Sequence, residues 1–151
     1  MLVRPAHVEN SSSDFTLVGD ESSSGFIPPA NVTFSFVGRN DGAAAMVLRD
    51  PCGGGNPRVH LEDENGTTIA TTEPTMRCMV AASFVAFSPG AEVSANWSWD
   101  GRVYDGSSMQ TAAPGTYFAV GTFIAQRDGG DASLVVRVPV NVLSADNRGV
   151  L

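Results

Sequence analysis

Few residues of this chain have the types and spacing that catalysis needs. Nucleophilic catalysis requires a nucleophile, a general base and a group that orients the base, and only His7 and His60 could supply an imidazole. His7 lies in a serine-rich N-terminal stretch, and His60 alternates with apolar neighbours, which predicts the solvent-facing side of a strand. The chain contains no G-x-S-x-G sequence. We therefore expect no catalytic site and predict that the protein is not an enzyme.

Cys52 and Cys78 are the two cysteines of the chain. A zinc site needs four ligands, and the sequence has no C-x-x-C pair or histidine pair to supply them. A disulfide between Cys52 and Cys78 is the simplest interpretation. It would close a loop of about 25 residues and stabilise the fold by about 3 kcal/mol. Two buried free thiols are the alternative.

The disulfide bears on the compartment in which the protein works. Disulfides persist in oxidising environments, so we expect an extracytoplasmic protein, periplasmic or secreted. Residues 1–25 contain no apolar segment of the signal-peptide type. The location therefore stays an expectation that depends on the oxidation state of the cysteines.

Acidic residues cluster in two predicted turns, at residues 62–65 (EDEN) and 128–131 (DGGD). Calcium prefers such oxygen ligands, but neither stretch has the spacing of a calcium-binding loop. We expect solvated turn residues and no metal or cofactor. Asn65 also begins an N-x-S/T sequon in the first of these turns, which matters only in a host that glycosylates.

The charge and hydropathy of the chain exclude two classes of partner. The formal net charge is -7, with 9 basic against 16 acidic residues, and all the basic residues are arginine. Binding of nucleic acid needs a basic surface, so we expect no nucleic-acid partner. No apolar run approaches the roughly 20 residues that a membrane-spanning helix needs. We expect a protein partner instead.

Hydrophobic alternation with a period of two runs through most of the chain. It begins with Val32, Phe34 and Phe36, and the sequence Asn65-Gly66 predicts a hairpin turn. No segment has helical periodicity of useful length. This pattern predicts an all-β sandwich of about seven to eight strands. In the last predicted strand, alternate residues form the apolar face; these are Leu134, Val136, Val138, Val140 and Val142.

The composition divides the chain into three parts. Residues 1–30 are rich in serine, glycine and proline and predict a flexible N-terminal arm carrying at most one edge strand. Residues 31–145 hold the sandwich, and residues 146–151 form a C-terminal tail. Within the sandwich, residues 100–115 are expected to form a long loop.

The stretch WSWDGRVYDGSSMQTAAPGTYFAVGTF, residues 97–123, resembles a known family. Trp-Asp-Gly, followed after a gap by Pro-Gly-Thr-Tyr, is similar to the pattern of the BsuPI family, named after an intracellular proteinase inhibitor. It is also similar to the Ig-like domain of flagellar hook-capping proteins. The resemblance covers roughly residues 31–125 and implies an Ig-like antiparallel β-sandwich. It marks as structural Trp97, Trp99, Asp100, Gly101, Pro114, Gly115 and Tyr117, with the Tyr117 hydroxyl bonding back to the backbone.

Two functions are compatible with these observations. The first is a non-enzymatic protein-binding module, of which a proteinase inhibitor is one form. An inhibitor would present the predicted loop through Arg102, Tyr104, Asp105 and Met109. The second is an accessory or structural subunit that docks on a larger membrane or surface assembly through its arm or a sheet edge.

Overall fold

The computed structural model describes residues 4–12, 14–50, 57–73, 83–127 and 130–144. These residues are all-β and contain no helix, as the alternation predicted. The described part of the chain therefore includes no helix that could cross a membrane. It forms thirteen strands, several of them only two or three residues long, where seven to eight were expected. In chain order these are β1 (His7–Ser11), β2 (Phe15–Glu21), β3 (Gly25–Phe26), β4 (Val32–Asn40), β5 (Met46–Asp50), β6 (Arg58–Asp63), β7 (Thr68–Ile69), β8 (Ser83–Phe87), β9 (Glu92–Trp99), β10 (Arg102–Tyr104), β11 (Met109–Thr111), β12 (Gly115–Arg127) and β13 (Gly130–Val142).

The first sheet has four antiparallel strands in the order β1-β2-β4-β9. Alternate residues of β4 point inward, and Val32, Phe34 and Phe36 are fully buried, because successive side chains of a strand face opposite sides. Among the described residues β9 pairs with β4 alone, so β9 is an edge strand. Its inward residues before Trp99 are consequently only half-buried.

The second sheet has seven strands in the order β3-β13-β12-β5-β8, with β6 pairing with β12 and with β7. The two 13-residue strands β12 and β13 pair along their whole length. The predicted apolar face of β13 is buried throughout. Among the described strands β13 pairs on its other side with β3, at Asn141 and Val142, and Asn10 Nδ2 of β1 donates to Val135 O (3.1 Å). Pro139 therefore lies on a largely free edge, where its missing N–H removes no ladder hydrogen bond.

The two sheets interlock through two pairs of phenylalanine and glycine. Phe36 and Gly38 are successive inward residues of β4, and Gly121 and Phe123 are successive inward residues of β12. An added Cβ on Gly121 would lie 2.3 Å from Phe36 Cδ1, and one on Gly38 would lie 2.6 Å from Phe123 Cδ2. Each ring therefore occupies the space above the glycine of the other strand. Because each phenylalanine ring packs against a glycine of the other sheet, the two sheets approach closely over one hydrophobic core.

Asn40 joins the ends of both sheets. It is the last residue of β4 and is 1% exposed. Its Nδ2 donates to Ala44 O (3.0 Å) and Phe87 O (3.0 Å), while its Oδ1 accepts from Gly42 N (2.9 Å). Both ends of one side chain thus satisfy backbone groups of the β4–β5 connection and of β8.

The N-terminal segment is part of both sheets, so the prediction of a flexible arm is wrong for residues 7–26. Strands β1 and β2 belong to the first sheet, and β3 pairs in parallel with β13. Phe15 and Leu17 lie in the core, and the Phe15 ring packs against Phe123 with 5.2 Å between ring centroids. The burial of these two side chains outweighs the local preference of the flanking serines for turns.

Several predictions concern residues outside the described ranges. These are the disulfide between Cys52 and Cys78, the turn at residues 128 and 129, and the tail at 146–151. The other acidic turn is described: Asp63 N donates to Thr67 O (2.9 Å), and Gly66 has a φ of 83°. The hairpin predicted from Asn65-Gly66 is therefore confirmed.

Glu21 is a carboxylate whose charge the fold disfavours. It ends β2 and is 7% exposed. Its Oε1 accepts from Ala6 N (2.6 Å), whereas its buried Oε2 has no hydrogen-bond partner. Burial raises the pKa of Glu21, and the hydrogen bond from Ala6 N opposes that shift. Glu21 is therefore protonated more readily in the folded state than in the unfolded chain.

This raised pKa predicts an effect of pH on stability. Glu21 contributes fully to the free energy of unfolding at pH values below about 4.3, which is its pKa in the unfolded chain. This contribution is lost as the pH rises through the higher pKa that Glu21 has in the folded state. Glu21→Gln should therefore raise the free energy of unfolding at neutral pH by about 1 kcal/mol, since it removes a buried charge. The gain should disappear near about pH 4. Urea unfolding at both pH values, with the exposed Glu73→Gln as control, measures it; a gain that does not change with pH would contradict the explanation.

Candidate functional site

An aromatic cluster forms where β9 ends and β12 begins. Trp99 is 2% exposed, and its ring meets Phe26 and Tyr117 edge-on, each at 5.4 Å between centroids. Its indole Nε1 donates to Arg102 O (2.9 Å). Trp99 therefore joins the two sheets and also holds the start of the segment after β9.

Tyr117 lies on the opposite side of this cluster. Its hydroxyl donates to Ala113 O (2.8 Å), the backbone contact that is expected of a tyrosine at this corner. Gly115 opens β12 with a φ of 153°, directly after Pro114. Burial raises the pKa of the Tyr117 hydroxyl, and the negative charges of Asp63 and Glu64 raise it further. The hydroxyl is thus held in its neutral form, as a hydrogen-bond donor.

Asp100 and Gly101 form the turn after β9. The Asp100 Oδ1 accepts from Arg102 N (3.1 Å), and Gly101 has a φ of 81°, which favours glycine. Gly101 O accepts from Ala112 N (2.7 Å). The turn closes the base of the segment between β9 and β12.

That segment is a β-hairpin, so the predicted long loop is corrected. β10 and β11 pair from Arg102 with Thr111 to Tyr104 with Met109. At the tip, Asp105 N donates to Ser108 O (3.1 Å), and Asp105 Oδ1 accepts from the backbone of Ser107 and Ser108 (2.9 Å each). The hydrogen bond from Ser108 N has the largest effect, and together with those from Ser107 it lowers the pKa of the Asp105 carboxyl. The Asp-Gly pair at 105 and 106 provides the turn that separates two short strands.

The residues predicted for an interaction loop therefore belong to a folded hairpin. Arg102 and Asp105 are exposed, whereas Tyr104 and Met109 are half-buried. Tyr104 N donates to Ala70 O (2.8 Å), which ties the hairpin to the segment after β7. The backbone of the hairpin is therefore paired with itself and with Ala70 rather than extended and free.

A cavity of about 330 Å³ lies beside the edge strand β9 and is here named the tryptophan pocket. Trp97 is half-buried in its wall, and its ring stacks on Phe34 (5.6 Å between centroids, 24° between planes) and on Trp99 (6.3 Å, 13°). The resemblance marked Trp97, Trp99 and Asp100, but nothing in the sequence placed the other lining residues beside them. The lining consists of Asn31, Thr71, Thr72, Trp97, Ser98, Trp99 and Asp100.

An exposed apolar edge is the second surface that sequence reasoning missed. β8 ends the path of the seven-stranded sheet and pairs with β5, and no strand among the described residues pairs with its outer side. Phe84 and Val85 of β8 are 58% and 55% exposed, and Val47 of β5 is exposed beside them. We name this surface the β8 edge. The run Phe-Val-Ala-Phe at residues 84–87 is typical of a buried strand. The exposure of Phe84 and Val85 could therefore not be predicted from the sequence of the strand.

Each histidine has a ring nitrogen close to a carboxylate oxygen. His60 is on the outer face of β6, as predicted, and its Nε2 is 2.7 Å from Glu62 Oε2. Glu62 Oε1 is also 3.3 Å from Arg137 Nε, and the Arg137 guanidinium lies 4.1 Å from the centre of the Phe118 ring. His7 pairs with Asp20 across β1 and β2. Within the described ranges, no group of three or more histidine, cysteine, aspartate or glutamate side chains could hold a metal ion.

Comparisons with known proteins assign no family. No protein-family model and no curated protein matches the chain. Among solved structures, the chain is similar to the β-glucosidase EmGH1 of Erythrobacter marinus (TM-score 0.45, 13% identity, 92% of this chain and 16% of that chain). It is also similar to a β-glucosidase of Listeria innocua (TM-score 0.42, 17% identity, 90% and 17%). A third similarity is to the Northeast Structural Genomics Consortium target SoR45 (TM-score 0.34, 13% identity, 98% and 86%).

The chain spans about a sixth of the length of these β-glucosidases. The three TM-scores are all below 0.5. At this level the likenesses assign neither a fold family nor an activity.

Proposed function

We propose that the chain is a non-enzymatic, protein-binding Ig-like module that docks on a larger protein through its β8 edge. The observation that carries this proposal is the exposure of Phe84 and Val85, 58% and 55%, on an end strand of a sheet. The partner supplies an extended segment that adds a strand beside β8. Main-chain hydrogen bonds then hold the segment, and its alternate side chains contact the two faces of the edge.

The sequence of β8 supports an edge that is covered by a partner. Unpaired strand edges invite aggregation, and proteins usually protect them with charged residues, proline or a bulge. β8 reads Ser-Phe-Val-Ala-Phe and has neither a charge nor a proline. An unprotected edge of this kind does not lead to aggregation when a partner strand covers it.

The charge of the chain favours a different protein over a second copy. Each copy carries a formal net charge of -7, so two copies repel one another as they approach, within a screening length of about 8 Å at physiological salt. A neutral or basic partner meets no such repulsion. The partner segment is therefore apolar along the strand and belongs to a protein that is neutral or basic around it.

The Ig-like form of the fold has support from packing. Two sheets face each other over one core, and the Tyr117 hydroxyl bonds to the backbone of Ala113 at the start of a central strand. This contact is similar to the tyrosine corner of Ig-like sandwiches. The assignment rests on these features together with the resemblance at residues 97–123.

The proteinase-inhibitor form of the function has less support than edge docking. An inhibitor that uses a loop would present an extended segment to the protease. Residues 102–111 instead pair with one another, and Asp105 closes the tip of the hairpin that they form. Inhibition would therefore require the hairpin to bind as a folded unit.

A matched pair of variants tests the proposal. Phe84→Lys puts a charge on the β8 edge, and Val135→Lys puts the same charge on β13, where Val135 is 44% exposed. We expect immobilised wild type and Val135→Lys to retain the same protein from an extract of the native source. Phe84→Lys should retain at least about 90% less of that protein than wild type does. Such a loss corresponds to a binding free energy that is weaker by about 1.4 kcal/mol or more.

Two results would contradict the proposal. One is retention of the same proteins by all three forms, with circular dichroism showing that each is folded. The other is inhibition of a protease that is unchanged by Phe84→Lys, which would support the inhibitor form instead.

A further inference from the structure

The tryptophan pocket has an aromatic wall that is fixed in place before any ligand arrives. Phe34 is the cross-strand neighbour of Trp97 and stacks on its ring from the β4 side. Trp99 stacks on it along β9. Because β9 is an edge strand in the described part of the chain, no strand covers the other side of Trp97. A rigid, half-buried indole thus borders a cavity that is open to solvent.

The other lining residues in the described part of the chain are polar, and Asp100 is the one charged residue among them. Asn31 provides an amide that both donates and accepts, and Thr71 and Thr72 provide hydroxyls that do the same. Asp100 provides the carboxylate, whose Oδ1 already accepts from Arg102 N. Ligand sites combine an apolar or aromatic surface with a few polar groups that fix orientation, and this lining has both.

We propose that the tryptophan pocket binds a saccharide, one pyranose unit at a time. A pyranose ring has a face of C–H groups, which stacks on an indole, and a rim of hydroxyls that both donate and accept hydrogen bonds. The pocket presents one indole together with amide, hydroxyl and carboxylate groups, the kinds of group that can contact that face and that rim. Its volume of about 330 Å³ is at the small end of ligand sites, which suits a single ring rather than a long oligosaccharide.

A quaternary ammonium ligand fits the pocket less well. Recognition of such cations uses several aromatic faces around the charge. Here Trp99 is 2% exposed, so Trp97 alone offers appreciable ring surface to a ligand. Among the described lining residues, three neutral polar side chains, those of Asn31, Thr71 and Thr72, accompany one carboxylate. The saccharide is therefore the better match, and choline serves as the competing probe.

The chain itself supplies the readout for a test. It contains two tryptophans, and both line this pocket. Indole fluorescence of the purified wild-type protein therefore comes entirely from two residues that line the pocket, of which Trp97 is the more exposed. The probes are glucose, galactose, mannose, N-acetylglucosamine, the β-1,4-linked and β-1,3-linked glucose disaccharides, and choline. We expect a saturable change in emission with at least one sugar, at a dissociation constant of about 1 mM or below.

Three variants separate the pocket from the remainder of the surface. Asn31→Ala and Thr72→Ala alter exposed rim residues and should preserve the fold, and each should weaken sugar binding about fivefold. Asn65→Ala, in the exposed β6–β7 turn, is the control and should bind like wild type. Isothermal titration calorimetry with the best sugar gives the affinities without relying on fluorescence.

Three results would overturn this inference. They are no change with any sugar up to its solubility, a change that Asn31→Ala and Thr72→Ala leave intact, and a response to choline in place of the sugars. The test needs no protein partner, so its outcome is independent of the β8 edge.

Discussion

Gly121→Ala is expected to destabilise the protein by about 3 kcal/mol, the upper part of the range for overpacking a core. The added methyl group would lie 2.3 Å from Phe36 Cδ1, whereas carbon atoms pack favourably at about 3.5 to 4 Å. Phe36 is fully buried between the sheets and cannot swing into solvent. The sheets must therefore separate locally or the ring must leave its rotamer. Urea unfolding monitored by circular dichroism measures the loss.

A double-mutant cycle distinguishes this steric cause from a general loss of strand stability. Phe36→Leu removes the ring edge that the new methyl group would meet, so Gly121→Ala should cost at least about 1 kcal/mol less in that background. Gly25→Ala is the matched control, because its Cβ would lie 3.4 Å from Asn141 O, an ordinary contact. It should change stability by no more than about 0.5 kcal/mol. Additive effects of Phe36→Leu and Gly121→Ala would contradict the interlock.

Asn40→Ala is expected to cost about 3 kcal/mol, because it removes three hydrogen bonds from a buried side chain to backbone groups, and the bond to Phe87 O is itself buried. Those groups are the carbonyls of Ala44 and Phe87 and the N–H of Gly42. Asn40→Asp keeps the acceptor but loses both donors and adds a buried charge, so it should also be strongly destabilising. Thermal and urea unfolding of both variants measure these losses.

The exposed Asn96→Ala on β9 is the control for Asn40 and should change stability by about 0.5 kcal/mol at most. Amide hydrogen exchange adds a local readout. If Asn40 joins the two sheets, then Asn40→Ala should speed exchange in β8 more than in β12. A uniform effect, or a loss no larger than that of Asn96→Ala, would show that these hydrogen bonds contribute little.

The elements that sequence reasoning found are those whose period-two pattern is long and unbroken. The burial of Val32, Phe34 and Phe36, and of the alternate residues of β13, was predicted because a single face of each strand is apolar. The N-terminal strands were missed because serine-rich segments surround a short pattern in which a glycine takes one inward position. Only packing against β4 and β13 makes β2 a buried strand.

The surfaces proposed for binding depend on contacts that the local sequence does not contain. The tryptophan pocket joins residues 31, 71, 72 and 97–100, which meet only when the sheets have formed. The β8 edge has the sequence of an interior strand, and its exposure follows from its place at the end of the sheet. The hairpin at residues 102–111 was predictable from Asp-Gly between short apolar stretches, but the absence of long alternation favoured a loop.

Site-specific photo-crosslinking from the β8 edge tests the proposed function most directly. A photoreactive phenylalanine analogue would replace Phe84 in one form and Val135 in another, and both would be irradiated in an extract of the native source. Docking through β8 predicts a discrete adduct from position 84 with one protein other than this chain, and none with that protein from position 135. The same adducts from both positions, or none from position 84, would contradict docking through β8.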